Sequence, residues 1–224
     1  MAMGDEPTKP QIADFVTVYA WRKPAGDAAA RLAELGVRPL LAWAGSVLLA
    51  ALTFGLFWRG SYWLGVIVAF ASSFLGAVSR DMSSITDKLA RGVEMVVAPF
   101  WWWAWLRGLD AYGTPLEPVY ATMLFVAIAG GYAGELILER LFSLRFGGLS
   151  IHKWEKADTR FRLVAAGRNV NLVILTLSLV AGRPNTGIEL VALWTLISVI
   201  FHAVRLAQAS AVKDSGGTVG SWLA

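Results

Sequence analysis

Six apolar stretches separated by short polar links organise this chain. They cover residues 40–58, 62–78, 93–106, 119–142, 163–181 and 188–206. A membrane-crossing helix needs roughly 20 predominantly apolar residues. The third stretch is the shortest and holds Trp101, Trp102, Trp103 and Trp105. Its helix is expected to begin earlier, near Ile85, with a charged first part. The pattern predicts an all-α polytopic membrane protein with six transmembrane helices. Five spans with a re-entrant third is the other count it allows.

Residues 25–36 follow Pro24, a residue suited to a helix start, and end on Gly36, a common stop. Ala28, Leu32 and Leu35 share one side of that helix, while Arg31 and Glu34 lie elsewhere. A short N-terminal amphipathic helix lying in the membrane interface is expected, although an ordinary soluble helix fits the segment as well. The polar start, Met1 to Gln11, lacks the basic-then-apolar order of a signal peptide. The organisation read from the pattern is a cytoplasmic N-terminal segment over 1–38, a six-helix domain over 39–208 and a cytoplasmic tail over 209–224.

Composition agrees. Of the 224 residues, 56% are apolar and 16% are charged, and the mean hydropathy is +0.55. A soluble domain carries about 25% charged residues, so a soluble enzyme is excluded. Cysteine is absent and His152 and His202 are the two histidines, which excludes thiolate chemistry and His-rich metal sites. The pI near 9.6 raises nucleic acid as a partner until the charges are placed. Arg59, Arg107 and Arg183 are the three basic residues on one side of the predicted topology, out of twenty lysines and arginines in all. The other seventeen share the opposite face, which the positive-inside rule makes cytoplasmic, together with both termini. The basic charge therefore reads as topology plus attraction to anionic headgroups, with no call for nucleic acid. A bacterial inner membrane is the expected location. The link at 143–162 is basic through Arg145, Lys153, Lys156, Arg160 and Arg162. It reads as a headgroup-facing surface or as a site for a substrate phosphate.

Ionisable residues inside a span are costly and mark function by default. Asp87, Lys88, Arg91 and Glu94 form a charged helix face at the start of the third span. Glu135 lies one turn, about 6 Å, deeper than Glu139 in the fourth. Gly130 and Gly134 on that helix have the spacing that permits close helix contact. Arg168, Asn169 and Asn171 stand in the fifth span, and Glu189 and His202 in the sixth. His202 reads as a satisfied core or interface histidine. Walker A, dinucleotide-binding, H-E-x-x-H and G-x-S-x-G patterns are absent.

Several segments resemble the CDP-alcohol phosphotransferase family. They are the amphipathic helix before the first span, Tyr62-Trp63-Leu64-Gly65, Ala98-Pro99-Phe100-Trp101-Trp102-Trp103, and Arg162-Leu163-Val164-Ala165-Ala166-Gly167-Arg168-Asn169. The resemblance implies six transmembrane helices, cytoplasmic termini, a dimer, and transfer of a phosphatidyl-type group from a CDP-linked donor to an alcohol with release of CMP. It also implies a divalent metal held by aspartates of the motif D-x2-D-G-x2-A-R-x8-G-x3-D-x3-D on the second and third helices.

This chain departs from that motif. Set from the third helix, the last aspartate falls on Glu94, the third on Ala90, and the first two on Ala69 and Ser72. Set from the second helix, the first two fall on Gly76 and Ser79 and the motif glycine on Arg80. A register through Glu117, Glu135 and Glu139 scores better, but Glu117 and Glu139 would lie about 33 Å apart on one helix. The reading that follows is a catalytically degenerate relative without a resident cofactor, acting as a structural or regulatory partner, as a homodimer or in a heterodimer with an active paralogue. Arg80, Asp81, Asp87, Lys88, Arg91 and Glu94 would line a vestigial substrate cavity, and Glu135, Glu139 and Arg168 are the candidate intramembrane functional residues. Two alternatives stand beside it. One is an active transferase using magnesium or manganese at a site rebuilt from Asp81, Asp87 and Glu94. The other is a small lipid or solute transporter with Glu135 and Arg168 along a path.

Overall fold

The computed structural model describes residues 13–223, apart from the side chains of Arg91, Glu94 and Met95. Every regular element among the described residues is helical. A π-helical turn, Val16–Trp21, leads into α1 (Arg22–Glu34). Then come α2 (Pro39–Trp58), α3 (Tyr62–Met82), α4 (Ser84–Tyr112) and α5 (Pro118–Arg145). A 3-10 turn, Ile151–Lys153, precedes α6 (Lys156–Val164), α7 (Arg168–Val180) and α8 (Pro184–Asp214). The polar segment from Met1 to Gln11 lies outside the described residues.

Local chemistry explains the helix starts. Proline occupies the first turn of α2, α5 and α8, where its missing N–H removes no helical bond. Glu117 caps α5 by accepting from the amides of Val119 and Tyr120 at 3.0 and 2.8 Å. At α6, Glu155 and Asp158 form a reciprocal capping box. Ser83 caps α4, and the short linker places the end of α3 beside it, where the Thr86 hydroxyl donates to the Ser79 carbonyl.

Among the described residues, four helices are long and apolar enough to cross a membrane: α2, α3, α5 and α8. A fifth span arises if α6 and α7, bent by 46°, count together. The fifth apolar stretch is thus broken, where one continuous span was expected. The break at Ala165, Ala166 and Gly167 survives because α8 takes up the freed backbone groups. The Ala166 amide donates to Ser198 Oγ at 2.9 Å, and Trp194 Nε1 donates to the Val164 carbonyl at 2.7 Å. Irregular backbone at membrane depth requires such partners. α4 begins where expected and runs past residue 106 to Tyr112, unbroken through Pro99. α4 is not among the helices long and apolar enough to cross a membrane, so the described residues show four such helices, or five with the bent pair, where six were expected. α4 falls short of the apolar helices because it carries charges at both ends and tryptophans that score poorly for hydropathy.

Those tryptophans face inward. Trp101, Trp102 and Trp105 are buried among Phe57, Tyr62, Leu109, Leu172 and Ile188. Each indole N–H is satisfied, by the Ala50 carbonyl, the Tyr132 hydroxyl and the Pro184 carbonyl respectively. Tyr62 stacks on Trp105 at 4.1 Å between centroids and donates to its carbonyl at 2.7 Å. This aromatic block joins α2, α3, α4 and α7 through dispersion and hydrogen bonding, the forces left for helix association in lipid.

α1 lies on the end of α3. Ala25 and Ala29 pack on Ala77 and Val78, with Ala28 and Leu32 at the margin, and Trp21 meets Phe74 edge-on at 5.3 Å. Leu35, assigned by sequence to the same apolar side, is 77% exposed. The buried side is set by small residues that let two helices approach. The close contact of α5 also differs from expectation. Gly130 has nothing within reach, whereas a Cβ on Gly131 would meet Thr195 Cγ2 at 2.3 Å and one on Gly134 would meet Val199 at 3.3 Å. The seam with α8 therefore runs through Gly131 and Gly134.

Candidate functional site

Three polar centres lie within this scaffold. The first is a crevice of about 10 Å3 between α2, α3, α4 and α7, lined by Ser46, Ser72, Gly76, Ala90, Val93 and Arg168. Ser72 Oγ donates to the Ser46 carbonyl at 2.8 Å. The Arg168 guanidinium rests 5.7 Å from the centre of the Trp101 ring. Next to it, Asn169 Nδ2 reaches Asp14 and Thr17 at 3.2 Å, and Asn171 Nδ2 reaches the Tyr132 hydroxyl at 3.1 Å. These bonds tie the start of α7 to the N-terminal segment and to α5. Ser72, Gly76 and Ala90, which the motif registers match to aspartates, converge on this one place. They present hydroxyl, hydrogen and methyl. Divalent hard cations require several oxygen ligands, carboxylates foremost, so these residues do not fit a metal.

The second centre is the charged patch where α3 passes to α4. Asp81 has Arg80, Asp87 and Arg22 as charged neighbours, and its carboxylate approaches Gly26 of α1. Arg80, Asp81 and Asp87 are thus brought together, with Arg22 as an addition from α1. Lys88 is exposed. Arg91 and Glu94 belong to α4, and their side chains lie outside the description. Among the described residues, no group of three or more His, Asp or Glu side chains is arranged to hold a metal ion.

The third centre joins α5, α8 and the 3-10 turn. Glu135 Oε2 lies 2.5 Å from His202 Nδ1. His202 is 1% exposed, and its ring meets that of His152 edge-on at 5.1 Å between centroids. Glu139, one turn away, is within 3.4 Å of Ser150 Oγ. Beside this centre, Arg205 grips Asp158 through Nε and Nη2 at 2.5 and 2.9 Å and Glu155 at 2.7 Å. The guanidinium also lies 4.2 Å from the Trp154 ring centre.

Sequence reasoning found Glu135 but treated His202 as satisfied and left His152 in a surface link. That link is in fact packed, with Ile151 and Trp154 buried against Phe142 and Ala209. A usable signal was present, since the chain has only two histidines and the link carries one of them.

Burial above all, then Arg162 and His202, hold His152 well below the ordinary imidazole value of 6.5. An unfolded His152 takes up a proton below that value and the folded one does not. Stability is therefore expected to fall as pH drops through about 6.5 and to be independent of this group above it. Thermal midpoints of the detergent-purified chain, measured from neutral pH downward, should fall less steeply in His152→Gln. Identical pH profiles would contradict the assignment.

Comparison with known protein families, with curated proteins and with solved structures finds no match.

Proposed function

We propose that the chain is a six-span integral membrane protein built like a CDP-alcohol phosphotransferase, without that activity, serving as a structural or regulatory partner of an active paralogue in phospholipid synthesis. The observation that carries this reading is the crevice. Ser72, Gly76 and Ala90 meet between the second and third long helices, the location that the family resemblance assigns to a metal-bound pyrophosphate, and they bring no carboxylate. Those three positions supply no anionic oxygen to hold the metal or to screen the donor's charge.

The membrane placement rests on the apolar outer surface. Leu48, Leu52, Ile67, Ile137, Leu193 and Ile200 are each more than half exposed, far more apolar surface than a soluble monomer shows. α4 supplies a further crossing because its 29 residues span about 43 Å at 1.5 Å per residue, beyond the roughly 30 Å hydrocarbon core. Arg59, Arg107 and Arg183 mark the sparsely basic end. The opposite end, carrying both termini, faces the cytoplasm and anionic headgroups.

The test is release of CMP from a CDP-lipid by the purified chain with magnesium or manganese. Turnover should not exceed the protein-free background, and a motif-bearing paralogue should co-purify from native membranes. Turnover abolished by Asp87→Asn would overturn the proposal in favour of a site rebuilt around Asp81, Asp87 and Glu94.

A further inference from the structure

The segment from Lys153 to Arg160 sorts its charges by side. Its acids are Glu155 and Asp158, and its bases are Lys153, Lys156 and Arg160. Both acids are drawn to Arg205 of α8, Glu155 at 2.7 Å and Asp158 at 2.5 and 2.9 Å. The three bases stand exposed on the outside. Among the described residues, none of them is paired with a carboxylate. Lys156 and Arg160 lie four positions apart on α6, a spacing at which like charges destabilise a helix. An anion held between them removes that cost.

The C-terminal tail meets the same face. Beyond α8 the chain turns at Gly216, whose φ of +84° suits glycine, and comes back over the link. Val219 packs beside Phe142, Ile151, Trp154 and Ala209. The Trp222 amide donates to the Lys153 carbonyl at 3.2 Å, and its indole Nε1 donates to Thr159 Oγ1 at 2.9 Å. Thr159 in turn donates to the His152 carbonyl at 2.7 Å. The Lys156 ammonium lies 5.5 Å from the centre of the Trp222 ring. Trp222 and Leu223 nonetheless remain partly open to the outside.

We infer that the docked tail and the exposed bases of the link form one binding surface for the headgroups of anionic phospholipids. Lys153, Lys156 and Arg160 take the phosphates, and Trp222 anchors the tail at headgroup depth. The surface rests on the membrane placement given above and is independent of whether the chain has activity. Depth supports it. Leu144 at the end of α5 and Val212 at the end of α8 are exposed, so the lipid-facing surface runs up to Arg145 and Lys213, where the headgroups begin. The tail leaves α8 at that level. Tryptophan suits this depth because its ring is apolar and its N–H is polar. Basic side chains there gain from the negative potential of anionic lipid. Docking of the tail therefore depends on lipid charge. Phosphates among the three bases leave Lys156 at rest on the indole, whereas in neutral lipid the bases repel one another and Lys156 is pushed from the ring.

The chain has no cysteine, so Leu223→Cys gives the full-length protein one position for an environment-sensitive fluorophore. With a nitroxide quencher carried on lipid headgroups, the label should be quenched more strongly in nanodiscs containing phosphatidylglycerol than in phosphatidylcholine alone. Each basic residue beside an anionic surface contributes about fivefold to partitioning, so the triple variant Lys153→Gln, Lys156→Gln, Arg160→Gln should weaken the docked state on the order of a hundredfold. Its quenching should fall to the phosphatidylcholine level. Trp222→Ala should also release the label, without changing a charge. Equal quenching in the two lipids, or quenching that survives the triple variant, overturns the surface. Quenching that survives Trp222→Ala overturns the anchor. A chain that does not enter nanodiscs at all overturns the membrane placement, and this surface with it.

Discussion

Gly108→Ala is expected to lower the thermal midpoint of the purified chain by about 6–12 °C. A Cβ at this position would stand 1.8 Å from the Phe57 carbonyl oxygen and 3.0 Å from the Gly60 amide nitrogen. Both obstacles are backbone, so no rotamer change relieves them, and α2 and α4 must separate. Overpacking of a core costs about 1–3 kcal/mol when side chains yield, and a backbone clash belongs at or above the upper figure. For a chain of this size each kcal/mol shifts the midpoint by about 2–4 °C. The separation would also unseat Trp105 from Tyr62 and Phe57. Gly130→Ala is the control, because a Cβ there meets nothing, and it should leave the midpoint unchanged or raise it through helix propensity. Equal midpoints for the two variants would refute the close approach of α2 and α4.

Arg205→Met should be of similar size. Asp158 is fully buried, and Arg205 is its bidentate partner. Removing one member of a buried ion pair leaves an uncompensated charge and costs about 3–5 kcal/mol, far more than losing an exposed pair. The exposed pair between Arg145 and Asp214 provides the comparison, and Arg145→Met should cost less than about 1 kcal/mol. In the double variant Arg205→Met with Asp158→Asn, much of the loss should return, because the asparagine carries no charge and still accepts at the capping box. Limited proteolysis within 143–162 gives a second readout, since loss of the Arg205 grip frees α6 from α8. A mild effect for Arg205→Met alone would mean that Asp158 reaches water.

These outcomes bear on how much of the molecule was legible beforehand. The long helices were, because their signals are local. Pro24 marks a start and Gly36 a stop, and apolar runs of sufficient length mark the long helices. The break after Val164 was not, because it depends on Ser198 and Trp194, thirty or more residues away, offering hydrogen bonds to freed backbone groups. The candidate site was legible only in parts. Glu135 stood out as a charge in an apolar run, but its partner His202 is 67 positions further along the chain.

Sequence alone determined that the chain is helical and that several helices suit a membrane. Length, composition and charge placement are additive along a chain, so no partner is needed to read them. Only the tertiary structure decided which side of each helix faces inward. In a soluble helix the polar side reveals the answer, but α2, α5 and α8 are apolar both where they meet lipid and where they meet each other. Gly131 was thus indistinguishable from Gly130 until Thr195 was seen against it. For the same reason, the meeting of Ser72, Gly76 and Ala90 and the approach of Glu135 to His202 were determined by packing, where small residues that permit close approach, not hydrophobicity, select the contact.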